Sequence, residues 1–368
     1  MPSNSKNKKN SYLLKEHAET AYAKELKALA KEDSYPRPSN WNLSPWAVVR
    51  YIMGTTLEDG TQITTKYFGA QRLIEIAVAT LVTDRALLLM GVPGTAKTWV
   101  SEHLSAAICG SSTLLVQGTA GINEDQLRYS WNYASLLAKG PTEEALVASP
   151  LMHAMKNGKI ARVEELTRIP ADVQDSLITV LSEKTLPIPE LNTEVQAKKG
   201  FNLIATANDK DRGVHDLSSA LKRRFNTVIL PLPSSLEEEV KIVKTRVEQL
   251  GKGLEIPAEL APVKEIQRLV TMFRELRNGQ TEDGRTKIKV PSATLSTAEA
   301  ISVINSGQAL AAHFGNGTLK ARDLAAGVIG AIIKDPVNDR LVWQEYLETV
   351  LRERPEWSDL YRAFKEIE

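Results

Sequence analysis

The eight residues Gly91-Val92-Pro93-Gly94-Thr95-Ala96-Lys97-Thr98 follow directly on the apolar run Ala86-Leu87-Leu88-Leu89-Met90. A buried strand, a glycine-bearing turn and a helix opening at Lys-Thr together make a phosphate cradle. Backbone N–H groups of the turn point inward, and the helix N-terminus adds the positive end of its dipole. Lys97 is placed to reach the β- and γ-phosphates of a nucleoside triphosphate, and the Thr98 hydroxyl to hold Mg2+. ATP and Mg2+ are therefore the expected cofactors. In the general pattern G-x-x-x-x-G-K-[ST], Ala96 stands where a second glycine is usual. Alanine fits there if φ stays negative, and then adds only a methyl group beside the phosphates.

A chain of 368 residues can hold two or three domains. Its formal net charge of +1 gives no global field to attract nucleic acid or an acidic membrane. The one cysteine, Cys109, rules out an intramolecular disulfide and suits a reducing cytoplasm. No apolar run approaches the roughly 20 residues that span a bilayer. His17, His103, His153, His215 and His313 lack metal-type spacing and read as structural.

Residues 1–9 are polar and expected to be disordered. Residues 11–32 carry helical spacing, and Pro36-Arg37-Pro38 ends that helix. Residues 44–54 read as a helix with Ser44 as N-cap and Pro45 at its first position. Residues 71–83 and 98–109 read as helices flanking the strand at 86–90. Thr113–Val116 reads as a strand, 141–158 as a helix, Lys159–Val163 as a strand and Pro170–Glu183 as a helix. Phe201–Thr206 and Thr227–Leu230 supply two further strands. This alternation predicts an α/β fold, a parallel sheet with helices on both faces. Pro231-Leu232-Pro233 is a linker, and the helix-rich stretch after 235 a separate all-helical domain. The expected divisions are an N-terminal helical extension (1–65), a nucleotide-binding domain (66–232), a helical lid (235–334) and a C-terminal helical tail (335–368).

Hydrolysis needs more than a phosphate loop. A second strand should end in acidic residues, and Ile160-Ala161-Arg162-Val163-Glu164-Glu165 does so. Four apolar residues and Asp-Glu would be usual. Here Arg162 lies within the strand, and Glu164 takes the metal-side position with one extra methylene. Glu165 is the candidate general base for the attacking water. The third strand ends Ile204-Ala205-Thr206-Ala207-Asn208, where Asn208 can orient that water or sense the γ-phosphate. Leu221-Lys222-Arg223-Arg224-Phe225 precedes the fourth. An arginine supplied across a subunit boundary stabilises phosphoryl-transfer charge; Arg224 is the first candidate and Arg223 the second.

In this order, Phe68-Gly69-Ala70-Gln71, the GVPGTAKT loop, the Glu164–Pro170 stretch, the Ala-Thr-Ala-Asn strand end and the Lys-Arg-Arg-Phe box resemble the AAA+ ATPases, and most of all their MoxR branch. The resemblance covers about residues 66–333. It implies a P-loop αβα core followed by an AAA+ lid, with Gly69–Gln71 near the adenine. It further implies a helix-2 insert within 119–150, a β-hairpin at 184–199, and assembly into a ring, a hexamer. The chain departs from that pattern at Glu164 and at Thr294, which stands where members often carry a second sensor arginine. Threonine cannot supply a guanidinium. Either Arg322 or Arg285 substitutes, or lid coupling is weak and hydrolysis slow.

What the resemblance implies for function is an ATP-driven remodelling or assembly factor for a protein client, partnered with a protein carrying a von Willebrand factor A domain. Two alternatives stay open. A nucleic-acid motor would use Lys184, Lys198 and Lys199 on the hairpin, a weak electrostatic footprint on a near-neutral domain. A nucleotide-gated scaffold would bind ATP and hardly turn it over.

Overall fold

The computed structural model describes residues 13–208, 215–253, 256 and 261–367. The expectation for residues 1–9 lies outside them. Two compact units emerge, one built from residues 16–92 and 96–231, the other chiefly from Leu232 onward.

The first unit is a three-layer α/β structure. Its sheet has five strands: β1 Ala86–Gly91, β2 Leu115–Gln117, β3 Ile160–Glu164, β4 Asn202–Asn208 and β5 Phe225–Ile229. All neighbours are parallel, in the order β5-β1-β4-β3-β2. After β1 the chain runs to the sheet edge with β2. It returns inward through β3 and β4, then passes to the far side of β1 with β5. The C-terminal ends of β1, β4 and β3 are thereby side by side, the place where open α/β sheets bind ligands.

Alternate residues of each strand serve opposite faces. Leu87, Leu89, Ile160, Ile204 and Val228 face one core, together with helices Gln71–Val82 and Lys97–Cys109. Ala86, Leu88, Ala161, Val163, Leu203 and Ala205 face the other, together with helices Pro150–Asn157 and Leu177–Glu183. Each fully buried aliphatic side chain contributes about 1.5–3 kcal/mol. Leu29, Trp41, Leu43, Tyr51, Ile52 and Ile63 sit in the first of these cores. Residues 16–65 are thus part of the α/β unit rather than a separate extension.

The helix at Pro45–Met53 has the expected cap, with the Ala47 N–H donating to Ser44 Oγ at 3.2 Å. The hairpin is present as Thr185–Ile188 antiparallel to Thr193–Gln196. Three expected helices are broken. Tyr22 interrupts the first, leaving Ala18–Ala21 and Ala23–Glu32. Residues 141–158 divide into the strand Leu146–Ala148, paired with Tyr129–Trp131, and the helix Pro150–Asn157. Pro150 has no N–H to give to a preceding helical turn, so it starts a helix capped by Ser149 instead of continuing one. The third breaks at Ser176, whose hydroxyl donates to the Val173 carbonyl at 2.7 Å.

The second unit is helical. Leu236–Gly253, Val263–Asn278, Thr297–Phe314 and Ala321–Ile332 surround a core of Val243, Phe273, Ile304, Leu324 and Val328. Trp343, Tyr346, Leu347, Trp357, Leu360 and Phe364 belong to the same core. The Trp343 and Phe364 rings meet edge-on with centroids 4.7 Å apart. The helical stretch after 335 therefore packs into the helical unit. Among the described residues, no helix is long and apolar enough to cross a membrane.

Candidate functional site

β1 delivers Gly91 to the phosphate loop, and the helix Lys97–Cys109 leaves it. Lys97 is buried, and its ammonium donates to the carbonyls of Gly91 and Val92, both at 2.9 Å. Ala96, the helix N-cap, has φ 64° and ψ 19°. The negative φ that would suit alanine is not what the loop adopts. The turn into the helix requires a left-handed residue, as it would from glycine, and alanine there costs about 1–2 kcal/mol.

The Glu164 side chain is buried, 1% exposed, and accepts four hydrogen bonds. Its Oε2 accepts from Thr98 Oγ1 at 2.8 Å and from Thr206 Oγ1 at 2.6 Å. Its Oε1 accepts from an Arg162 NH2 at 2.7 Å and from the Ser101 hydroxyl. Thr98 and Glu164, both expected at the metal position, are thus in direct contact. The neighbouring Glu165 takes φ 56° and ψ 46°, turning the chain out of β3. Its N–H donates to Thr206 Oγ1 at 3.0 Å, and its carboxylate pairs with Arg168. One hydroxyl, that of Thr206, therefore fixes both acidic residues.

Asn208 ends β4 directly beside Gly91 in the sheet register. This brings it to the start of the phosphate loop. Gln71 opens the helix Gln71–Val82 and donates to Glu75 at 2.8 Å. Gly69 has φ 152°, and a Cβ there would come within 2.7 Å of the Tyr67 hydroxyl. The two arginines differ sharply. Arg224 donates through Nε to Ser182 Oγ at 2.8 Å and through NH1 to the Ala220 carbonyl at 2.9 Å. Arg223 is exposed just after the short helix Ser219–Lys222.

Two contributors escaped the motif reading. Gly118, just after β2, donates its N–H to the Glu164 carbonyl at 2.7 Å, and a Cβ there would lie 2.3 Å from the Glu165 carbonyl oxygen. Only glycine lets that loop pass so close to the acidic pair. Arg162, noted in the strand only as a break in its apolar run, is the other. Its position two residues before Glu164, on the same strand face, was a signal available in the sequence. On the opposite side of the phosphate-loop helix, the Tyr51 hydroxyl meets His103 Nδ1 at 2.8 Å, a structural role for that histidine.

In the helical unit, Thr294 is exposed and precedes Ser296, the cap of helix Thr297–Phe314. Arg322 pairs with Asp323 at 3.6 Å and Arg285 with Asp283 at 3.5 Å.

A phosphate loop, an acidic strand end and a polar strand end on a β5-β1-β4-β3-β2 sheet, followed by a helical unit, define the AAA+ ATPase class. The profile of the AAA domain (dynein-related subfamily) matches residues 86–225, and that of the YehL-like AAA+ ATPase C-terminal domain matches residues 237–367. The YehL protein of Escherichia coli (strain K12) is 38% identical over 361 residues, 96% of this chain and 98% of that protein. The chain belongs to the YehL-like family of AAA+ ATPases. A Staphylococcus haemolyticus protein is 28% identical over 144 residues, 39% of this chain and 54% of its own length. Among solved structures, NtrX from Brucella abortus in complex with ATP has a TM-score of 0.48 and 15% identity, covering 80% of this chain and 60% of that one.

Proposed function

We propose that this chain is an ATP-hydrolysing, MoxR-like ATPase that works in the cytoplasm as a ring homo-oligomer, a hexamer. It remodels or assembles a protein client together with a protein carrying a von Willebrand factor A domain. The observation that carries hydrolysis is the meeting of Thr98, from the first turn of the helix Lys97–Cys109, and Thr206 of β4 on the Glu164 carboxylate at the end of β3. The donor set fits Mg2+, which takes hard oxygen ligands: the Thr98 hydroxyl and the Glu164 carboxylate lie together. The ion, when bound, neutralises phosphate charge.

The chain's own residues divide the work. Gly91–Thr98 wrap the triphosphate, with Lys97 leaving its carbonyl partners for phosphate oxygens. Gly69 and Gln71 border the base. Glu165 accepts a proton from the attacking water, and Asn208 orients that water. Arg223 takes the finger role ahead of Arg224, because Arg224 is already held by Ser182 and Ala220. The slow, nucleotide-gated reading keeps one observation in its favour, the exposed Thr294 with no guanidinium to offer the γ-phosphate.

A Glu165→Gln variant should bind ATP without consuming it and hold its client. Pull-down in ATP, read by mass spectrometry, is expected to return a discrete protein together with one bearing a von Willebrand factor A domain. ATPase stimulation by DNA that fades with rising salt would instead favour a nucleic-acid motor.

A further inference from the structure

Residues i and i+2 of a strand share a face. Arg162 and Glu164 therefore stand side by side on β3, against the first turns of the helix Lys97–Cys109. Both are buried, 4% and 1% exposed. The guanidinium is held on three further sides. Its Nε donates to Ser101 Oγ at 3.0 Å, NH1 to the Ser112 carbonyl at 2.9 Å, and NH2 to the Thr98 carbonyl at 3.2 Å. The Glu164 carboxylate is split between two environments as a result. Oε1 belongs to Arg162 and Ser101, and Oε2 to Thr98 and Thr206.

We propose that Arg162 is a positioning residue of the Mg2+ site. It anchors Oε1 so that Oε2 alone is presented beside Thr98. It thereby lets glutamate serve where a side chain one methylene shorter is usual. An aspartate at 164, with Arg162 still in place, could reach one set of donors but not both. Arg162 and the length of residue 164 are one coupled feature. This rests on the ATPase reading above, and the experiment separates the two.

The test is a cycle of Arg162→Leu, Glu164→Asp and the double variant. Each is titrated with a fluorescent ATP analogue in EDTA and in Mg2+, and the affinity ratio is the Mg2+ enhancement. Glu164→Asp and Arg162→Leu alone should each lower the enhancement about 10-fold, the scale of losing a partner that orients a metal ligand. Affinity in EDTA should stay within about 2-fold, and the double variant should recover to within about 3-fold of the parent. Removing one member of a buried ion pair can prevent folding. If Arg162→Leu alone does not fold, Glu164→Asp against the double variant still decides. Equal enhancement by Glu164→Asp in both backgrounds overturns the proposal, as does a double variant less well folded than Glu164→Asp. So does an Arg162→Leu chain that loses affinity equally in EDTA and Mg2+. A parent that binds Mg2+ and ATP without turnover overturns the hydrolytic reading alone, since the enhancement is measured by binding.

Discussion

Two buried glutamates invite comparison. Glu164 in the α/β unit and Glu239 in the helical unit are each 1% exposed, and each accepts from arginine and from a threonine hydroxyl. Glu239 takes Arg274 NH1 at 3.2 Å, Arg277 NH2 at 2.8 Å and Thr297 Oγ1 at 2.7 Å. These partners come from helices Val263–Asn278 and Thr297–Phe314, and Glu239 itself from Leu236–Gly253. The cluster ties three helices together. The partners of Glu164 include the phosphate-loop residue Thr98 and the strand-end residue Thr206. Buried charge alone therefore does not mark a site; its place at the C-terminal ends of parallel strands does.

Variants in the two units should separate chemistry from stability. Arg223→Ala should lower ATP turnover about 1,000-fold, the scale of a lost arginine finger, while Arg224→Ala costs much less. A larger loss at Arg224 than at Arg223, read by steady-state ATPase assays, would return the role to Arg224. Lys97→Ala should lower kcat/KM for ATP about 100-fold, as loss of one charge clamp on the phosphates does. Its midpoint in urea should hardly move. Glu239→Ala should do the reverse. It strands two arginines and should destabilise the helical unit by about 3–5 kcal/mol in denaturant. A Glu239→Ala chain with parental stability would contradict its assignment as a tie. Ala96→Gly should have the smallest effect, raising stability by about 0.5–1 kcal/mol. Relief of the left-handed alanine exceeds the entropy that glycine adds to the unfolded chain. Destabilisation in urea would mean that the loop does not hold φ positive there.

The sheet was legible in the sequence because parallel strands, covered on both faces, read as continuous apolar runs such as Ala86–Met90. The phosphate loop and the acidic strand end were legible because each needs particular residue types at fixed spacing, whereas the hairpin was expected only from the family resemblance. The backbone at Ala96 was not. Alanine prefers negative φ, and only the strand-to-helix geometry of the loop overrides that preference. The strand Leu146–Ala148 was hidden because three apolar residues fit a helix as well as a strand, and pairing with Tyr129–Trp131 decides between them. That the helical stretch after 335 packs into the same core as Phe273 and Leu324 was not legible, because no sequence pattern tells which core receives its aromatic side chains. The ranking of Arg223 and Arg224 depended on Ser182, a residue 42 positions away.

In the proposed reaction Glu165 activates water beside a nucleotide gripped by Lys97 and Thr98. Single-turnover ATP hydrolysis by Glu165→Gln, with ATP affinity measured on the same preparation, tests it most directly. Affinity should stay within about 2-fold, and the rate of hydrolysis should fall at least about 100-fold, as loss of a general base requires. A hydrolysis rate equal to the parent's, at unchanged affinity, would contradict it.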